Sequence, residues 1–145
     1  MKILGLFLFI VLETTAYGYT TTEGLQAAWT DEKHAIDTYQ AVVVKFGAVK
    51  PFYNILAAEK KHLSSVENIA DRLAISLNKV NGFYPPEFSS VKMACEVGIQ
   101  AELDNIALYD KMLLEETNGI VLNLYRNLRD ASLNNHLPAF RRCAR

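Results

Sequence analysis

The sequence predicts an all-α fold, a four-helix bundle, and two observations support this prediction. Four stretches carry apolar residues at the spacing of one helix face, and connections containing Gly, Pro or Asn separate them. The chain has 145 residues, half of them hydrophobic, which is the size of a single domain with a substantial core. The net charge of −1 gives no reason to expect binding to nucleic acid or to an anionic membrane.

The first helix is expected from Thr22 to Phe46, where Gly47 is a natural stop signal. Its apolar face contains Leu25, Ala28, Trp29, Glu32, Ala35, Ile36, Tyr39, Val42, Val43 and Phe46. Glu32 therefore lies in the middle of a face that should point into the core. A buried carboxylate is costly unless it is paired or bound to a metal.

Pro51, a residue favoured in the first turn, begins the second predicted helix, which is expected to run to about Leu77. Its apolar face contains Phe52, Ile55, Leu56, Glu59, His62, Leu63, Val66, Ile69, Ala70 and Leu73. Glu59 and His62 are three residues apart, so their side chains share a face and can converge on one point. A Glu-x-x-His pair facing the inside of a helix bundle is how carboxylate-bridged metal proteins supply ligands.

The third helix is expected from Val91 to Glu116 and the fourth from Ile120 to Arg142. Glu102 interrupts the apolar face of the third helix, and His136 interrupts that of the fourth. Four helices that each carry a Glu or a His in the middle of an apolar face predict a shared polar site inside the bundle.

The connections between the predicted helices are short, long and short. Residues 78–90 include Asn81-Gly82 and Pro85-Pro86, which rule out a regular helix there. This segment is long enough to cross the bundle. One long crossover, here between the second and third helices, is the ferritin-like arrangement of a four-helix bundle.

Residues 1–18 are predicted to be a signal peptide, which leaves residues 19–145 as the mature domain. Lys2 gives a positive start, residues 3–12 form an apolar core, and Ala16 and Gly18 are the small residues expected before a cleavage at Tyr19. The alternative is a membrane anchor, but the apolar run is shorter than the roughly 20 residues that span a bilayer. We therefore expect a secreted protein, with no membrane association after cleavage.

The two cysteines, Cys95 and Cys143, are expected to form a disulfide, which an oxidising compartment favours. Cys95 precedes Glu102 by seven residues and Cys143 follows His136 by seven. If the third and fourth helices are antiparallel, these offsets place both cysteines at the same end of the bundle. Two free buried thiols are the alternative.

Four segments resemble one family in the same order along the chain. They are Asp31–Tyr39 (matching Glu-Glu-Lys-Leu-Ala-Arg-Asp-Val-Tyr), Phe52–Val66 (matching the second helix), Glu102–Asp104 (matching Glu-Glu-Leu-Asp) and Asn135–Phe140 (matching Asn-His-Leu-Arg-Ala-Phe). The family that these segments resemble is DUF2202, a ferritin-like family of unknown function. The resemblance covers nearly the whole mature chain and implies a ferritin-like bundle with a metal centre and no defined activity.

A complete ferritin-like site for two metal ions uses a Glu from each of two helices and a Glu-x-x-His pair from each of the other two. Five of these six roles are filled, by Glu32, Glu59, His62, Glu102 and His136. The sixth position, three residues before His136, is Leu133, which cannot coordinate a metal. One or two ions are both compatible with this set. Mixed oxygen and nitrogen ligands favour iron, with manganese or zinc as alternatives.

Three functions are compatible with these residues. The first is an oxidase- or ferroxidase-like centre, and the second is metal binding without catalysis, including a purely structural metal. In the third there is no metal: the buried Glu and His groups form a hydrogen-bonded network, with Tyr39 or Tyr109 as a partner for the carboxylates, and the surface of the bundle binds an extracellular partner. Leu133 favours the second and third functions, whereas the intact Glu59-x-x-His62 pair favours the first two.

Overall fold

The computed structural model describes residues 18–80 and 83–145, and these residues fold into the predicted all-α four-helix bundle without a β-strand. The elements are α1 (Thr21–Phe46), α2 (Phe52–Arg72), α3 (Val91–Glu115), α4 (Gly119–Ala131), a π-helical turn (Ser132–His136) and α5 (Leu137–Cys143). The predicted signal peptide lies outside the described residues except for its last residue, Gly18. Within the described ranges, no helix is long and apolar enough to cross a membrane.

Polar side chains at the helix ends fix where the helices begin and stop. Thr20 and Glu23 form a reciprocal capping box at the start of α1, where each side chain accepts a hydrogen bond from the other residue's backbone N–H. The Ser90 side chain caps α3 by accepting from the Met93 N–H, and the Asn118 side chain caps α4 by accepting from backbone N–H groups of the first turn. Gly47 ends α1 with a φ of 82°, a left-handed conformation that glycine adopts without strain.

The prediction that the second helix runs to Leu77 was wrong, because α2 ends at Arg72. Ala74 follows with a φ of 54°, which is incompatible with a continuing right-handed helix. Beyond it the chain has no regular secondary structure up to residue 80, and Leu73, Ile75 and Leu77 all pack on the core from alternate positions. Period-two spacing suits an extended strand-like segment, so the crossover begins earlier than helical periodicity indicates.

The predicted fourth helix is not a continuous α-helix. In its middle the Leu137 N–H donates to the Ser132 carbonyl, a hydrogen bond that spans five residues instead of four. The π turn therefore holds one more residue than an α-helical turn, and α4 and α5 continue on either side of it. His136, a predicted site residue, is the last residue of this turn.

Two apolar cores lie on either side of the predicted site. Trp29, Val66 and Tyr125 belong to one core, and Phe52 and Phe140 belong to the other. Along each of the four helices, the Glu or His predicted for the site falls between residues of the first core and residues of the second. The site is therefore a polar layer in the middle of the bundle.

The disulfide between Cys95 and Cys143 is formed and joins α3 to α5, with the two Cα atoms 5.9 Å apart. Close to it, the Phe140 ring packs directly on the backbone of Gly98: a Cβ at that position would lie only 2.8 Å from the ring. These two contacts hold α5 tightly against α3 and so fix the segment that follows His136.

Candidate metal centre

The five side chains predicted for the metal site converge at the centre of the bundle. Glu32 comes from α1, Glu59 and His62 from α2, Glu102 from α3 and His136 from the π turn. Four of them are buried, and the side chain of His62 is 19% exposed. Within the described part of the chain they form two groups that can hold a metal ion, Glu32–Glu59–His62 and Glu59–Glu102–His136, with the ligand atoms of each group within 4.8 Å of one another.

Glu59 belongs to both groups and lies between the two imidazoles. Its Oε2 atom is 2.7 Å from His62 Nδ1, and its Oε1 atom is 3.0 Å from His136 Nδ1. Glu32 Oε2 lies 3.4 Å from His62 Nδ1, and Glu102 Oε2 lies 3.4 Å from His136 Nδ1. Each half of the site therefore offers one imidazole nitrogen, one carboxylate of its own and one oxygen of the shared Glu59.

Two buried tyrosines orient the outer carboxylates. The Tyr39 hydroxyl donates to Glu102 Oε1 and the Tyr109 hydroxyl donates to Glu32 Oε1, both at 2.8 Å. These are the hydrogen bonds that the metal-free interpretation of the sequence requires, but each uses only one carboxylate oxygen. The other oxygen of each Glu faces a histidine. Each Tyr follows the site Glu of its own helix by seven residues, but it donates to the site Glu of the other helix.

The site holds protons at neutral pH when no metal is bound. Burial opposes the charged form of Glu59, but its contacts with His136 and His62 lower its pKa to about 2. Burial also opposes protonation of the histidines, yet contacts with Glu32 and Glu59 raise the pKa of His62 to about 9. Contacts with Glu102 and Glu59 raise the pKa of His136 to about 10. A cation that binds these nitrogens must displace those protons.

Burial has the largest effect on Glu32, whose pKa it raises to about 8 although the contact with His62 acts in the opposite direction. Removing this carboxylate from water disfavours its charged form. A positive ion placed beside Glu32 would offset that cost, so the burial of this carboxylate is compatible with metal binding.

His136 supplies an independent test of whether the residues fit a metal ion. Its Nδ1 atom is buried and has no hydrogen-bond partner with acceptable geometry among the described residues, although Glu59 Oε1 is 3.0 Å away. Buried polar atoms are nearly always hydrogen-bonded, and an exception needs an explanation. A neutral imidazole nitrogen directed between two carboxylates is a suitable metal ligand. The donor set of three carboxylates and two imidazoles therefore fits.

The residue that the fourth helix adds to the buried polar layer beside His136 is Ser132 and not Leu133. The π turn brings Ser132, four residues before His136, into the buried layer, while Leu133 is only half-buried. The Ser132 hydroxyl donates to Asn105 Oδ1 at 2.7 Å. Asn105 was missed in the sequence analysis, although it lies three residues after Glu102 and so shares its helix face.

A cavity of about 310 Å³ lies between α1 and α3, next to the crossover segment. Glu59 and Glu102 are among its lining residues, and Asp104 is another acidic group in its wall. His34 stacks on Phe83 of the crossover with ring centroids 4.0 Å apart, and both residues line the cavity. The cavity gives small molecules or ions a path towards the carboxylates of the site.

Comparison with known proteins supports the fold. No protein-family model and no curated protein matches the chain. The chain is similar to the crystal structure of hypothetical protein MJ0754 from Methanococcus jannaschii DSM 2661, with a TM-score of 0.78 and 26% sequence identity. The match covers 92% of this chain and 84% of that chain. The chain thus shares the fold of that protein over nearly its whole length.

Proposed function

We propose that this chain is a secreted ferritin-like protein that binds two metal ions side by side in the centre of the bundle. The observation that carries the proposal is the position of Glu59, which directs one carboxylate oxygen towards His62 and the other towards His136. A carboxylate shared between two neighbouring groups of ligands is suited to bridging two cations.

The charge of the site supports divalent cations. The three carboxylates of Glu32, Glu59 and Glu102 offset three of the four positive charges of two such ions, which makes burial of the ions less costly. Each ion would be held by a mixture of carboxylate oxygen and imidazole nitrogen. This mixture favours iron, with manganese and zinc as the alternatives.

Bound iron would supply one-electron chemistry with dioxygen, which is the basis for an oxidase- or ferroxidase-like activity. The contributions of the chain itself are positioning and exclusion of water. Tyr39 and Tyr109 hold one oxygen of Glu102 and one of Glu32, so that the other oxygen of each stays directed at a histidine. The two apolar cores exclude bulk water from the polar layer, which strengthens electrostatic interactions within it.

The activity is tested by adding ferrous ion anaerobically to metal-free protein and then following oxygen consumption after air is admitted. We expect consumption faster than that of ferrous ion in buffer, saturating at two equivalents of iron. Glu59→Ala should react no faster than buffer, and Glu96→Ala, at an exposed position on α3, should behave like the wild type. A wild-type protein that binds iron without accelerating its oxidation would exclude the oxidase role and leave metal binding alone.

A second candidate function is a metal-free or structural-metal bundle that acts as an extracellular binding protein. The observation in its favour is that the side chains of the site have partners within the protein when no metal is bound. Glu59 lies between two imidazoles with raised pKa values, and both outer carboxylates accept hydrogen bonds from tyrosines. The metal-free form of this candidate predicts that the midpoint temperature of unfolding is the same with excess ferrous, manganous or zinc ion as with a chelator. A structural metal would raise that temperature, because it binds only the folded state.

The proposal includes membership of the DUF2202 family. The four segments that resemble this family contain all five residues of the metal centre, and the structure places them on four different elements around one point. The corresponding test is a broad alignment of related chains. Membership requires that the equivalents of Glu59 and His62 vary less than exposed positions such as Glu96.

Secretion is the last part of the proposal, and two observations support it. The disulfide between Cys95 and Cys143 is typical of an oxidising compartment. The backbone nitrogen of Tyr19 donates to Glu115 Oε2 at 2.6 Å, so cleavage before Tyr19 would place a charged amino group beside a carboxylate. Mass spectrometry of protein from the culture medium should give a chain that starts at Tyr19. Retention in the cells with residues 1–18 attached would contradict secretion.

A further inference from the structure

A chain of hydrogen bonds crosses the bundle beside the metal centre. The Ser132 hydroxyl donates to Asn105 Oδ1 at 2.7 Å, and Asn105 Nδ2 donates to the carboxylate of Asp31. Ser132 is 3% exposed and Asn105 is 8% exposed, so water has little access to either side chain. The chain connects the π turn to α3 and then to α1, the three elements that also carry His136, Glu102 and Glu32.

The inner end of this series of hydrogen bonds is Ser132, the first residue of the π turn. Ser132 and His136 are the first and last residues of this turn, and side chains four residues apart are neighbours on a helix surface. Ser132 and His136 therefore project to the same side. If the extra residue were lost from this turn, His136 would rotate by roughly 100° relative to α4, the angle between successive residues of an α-helix.

The two sides of the π turn are held by different contacts. On the C-terminal side, the disulfide at Cys143 and the packing of Phe140 on Gly98 fix α5 against α3. On the N-terminal side, the hydrogen bond between Ser132 and Asn105 fixes the first residue of the turn against the same helix. π-helical turns are rare in proteins, so we expect this one to depend on the contacts that hold its two ends.

We infer that Asn105 and Ser132 are positioning residues, whose hydrogen bond keeps the π turn in place and thereby directs His136 Nδ1 at Glu59 and Glu102. This role differs from a general contribution to stability because it acts on one half of the site. His62, Glu32 and Glu59 are carried by α1 and α2, which do not contain the π turn. Losing the hydrogen bond should therefore displace one histidine and leave the other where it is.

The first test needs no metal. Long-range proton–nitrogen NMR spectra of the imidazoles are recorded at one pH in chelator-treated protein. Ser132→Ala should shift the His136 ring nitrogens clearly more than those of His62, which feels only the change in the neighbouring ring and in the shared Glu59. Ser132→Thr keeps the hydroxyl and should restore the wild-type spectrum. The matched control is Ser65→Ala, which removes a hydroxyl that donates to its own helix, at the Lys61 carbonyl. An unchanged His136 in Ser132→Ala, or equal shifts of both histidines, would overturn the inference.

The second test rests on the proposed function and uses cobalt(II) as the probe in equilibrium dialysis. Loss of a group that orients a metal ligand typically weakens metal binding about 10- to 100-fold. We expect Ser132→Ala to weaken the second cobalt equivalent by that factor and to leave the first, held by Glu32, Glu59 and His62, unchanged. An equal loss of both equivalents would contradict positioning. If the wild type binds no cobalt, the proposed function fails, whereas the NMR test still decides the role of Ser132.

A further variant covers the case in which Ser132→Ala does not fold. Asp31 is at the half-buried outer end of the chain of hydrogen bonds, where its removal disturbs the core less. Asp31→Ala leaves Asn105 without its acceptor and should shift His136 in the same direction by a smaller amount. The inference is contradicted if this variant folds and the His136 signals stay at their wild-type positions.

Discussion

Glu59→Gln removes the negative charge that lies between the imidazoles of His62 and His136 while keeping the shape of the side chain. In the metal-free protein His62 and His136 are both protonated at pH 6, because their pKa values are about 9 and about 10. After the substitution both imidazoles lose the carboxylate that lies between them and that helps to raise their pKa values. We expect the folded state to be destabilised even though the packing volume is unchanged.

The pKa of Glu59 gives the size of the effect. Its value of about 2 lies about 2.5 below the ordinary 4.5 of a glutamate. One pKa unit corresponds to about 1.4 kcal/mol, so folding favours the charged form of this carboxylate by about 3 kcal/mol. Removing one partner of a buried ion pair costs a similar amount, about 3–5 kcal/mol. We therefore expect the free energy of unfolding to fall by about 3 kcal/mol at pH 6.

Urea denaturation of chelator-treated protein measures this quantity. The wild type and Glu59→Gln are compared at pH 6, and an equal dependence on urea concentration in both shows that the unfolded states are comparable. Glu96→Gln makes the same chemical change at an exposed position of α3 and should alter the free energy of unfolding by less than about 0.5 kcal/mol. A loss below about 1 kcal/mol for Glu59→Gln would refute the view that this carboxylate is clamped between two charged imidazoles.

Three further predictions concern the groups around the site. The raised pKa values of His62 and His136 give a stabilisation that is complete below pH 6.5 and is lost as the pH rises through about 9 and about 10. The midpoint temperature of thermal unfolding of metal-free protein should therefore decline over this range. A midpoint temperature that stays constant from pH 7 to 10 would contradict this prediction. Replacing Cys95 and Cys143 together by Ser opens a loop with a sequence separation of 48 residues. In the chain-entropy model, the free energy of unfolding measured in urea should then fall by about 4 kcal/mol. A fall below about 1 kcal/mol would show that the crosslink contributes little. Tyr39→Phe removes a buried hydrogen bond to a site carboxylate and should cost about 1.5–3 kcal/mol in the same assay; no measurable loss would mean that the carboxylate finds another partner.

The sequence is sufficient to predict the bundle and the convergence of the five site residues, because both follow from helical periodicity. Glu32, Glu59, Glu102 and His136 each interrupt an apolar face near its middle. Side chains in the middle of the apolar faces of four packed helices must meet in the core. The short connections then fix which helices are neighbours, and the two cysteines mark one end of the bundle.

Periodicity does not predict the two places where the backbone leaves the α-helix. Leu73 and Leu77 are spaced like residues of one helix face, but Ile75 between them also packs on the core, a period-two pattern that a helix does not give. The π turn adds a residue without any change of residue type that would mark it. Spacing counted along an ideal α-helix therefore points to Leu133 as the sixth position, whereas the structure brings Ser132 into the polar layer.

The central claim, two metal ions joined by Glu59, is tested most directly by the metal content of the protein. Wild type, Glu59→Ala and the control Glu96→Ala are reconstituted anaerobically with ferrous ion, freed of unbound metal by gel filtration and analysed for iron per chain. We expect two equivalents in the wild type and the control, and less than one in Glu59→Ala. Manganese and zinc are tested in parallel in the same way. The site is contradicted if the wild type retains none of the three metals, or if Glu59→Ala retains as much metal as the wild type.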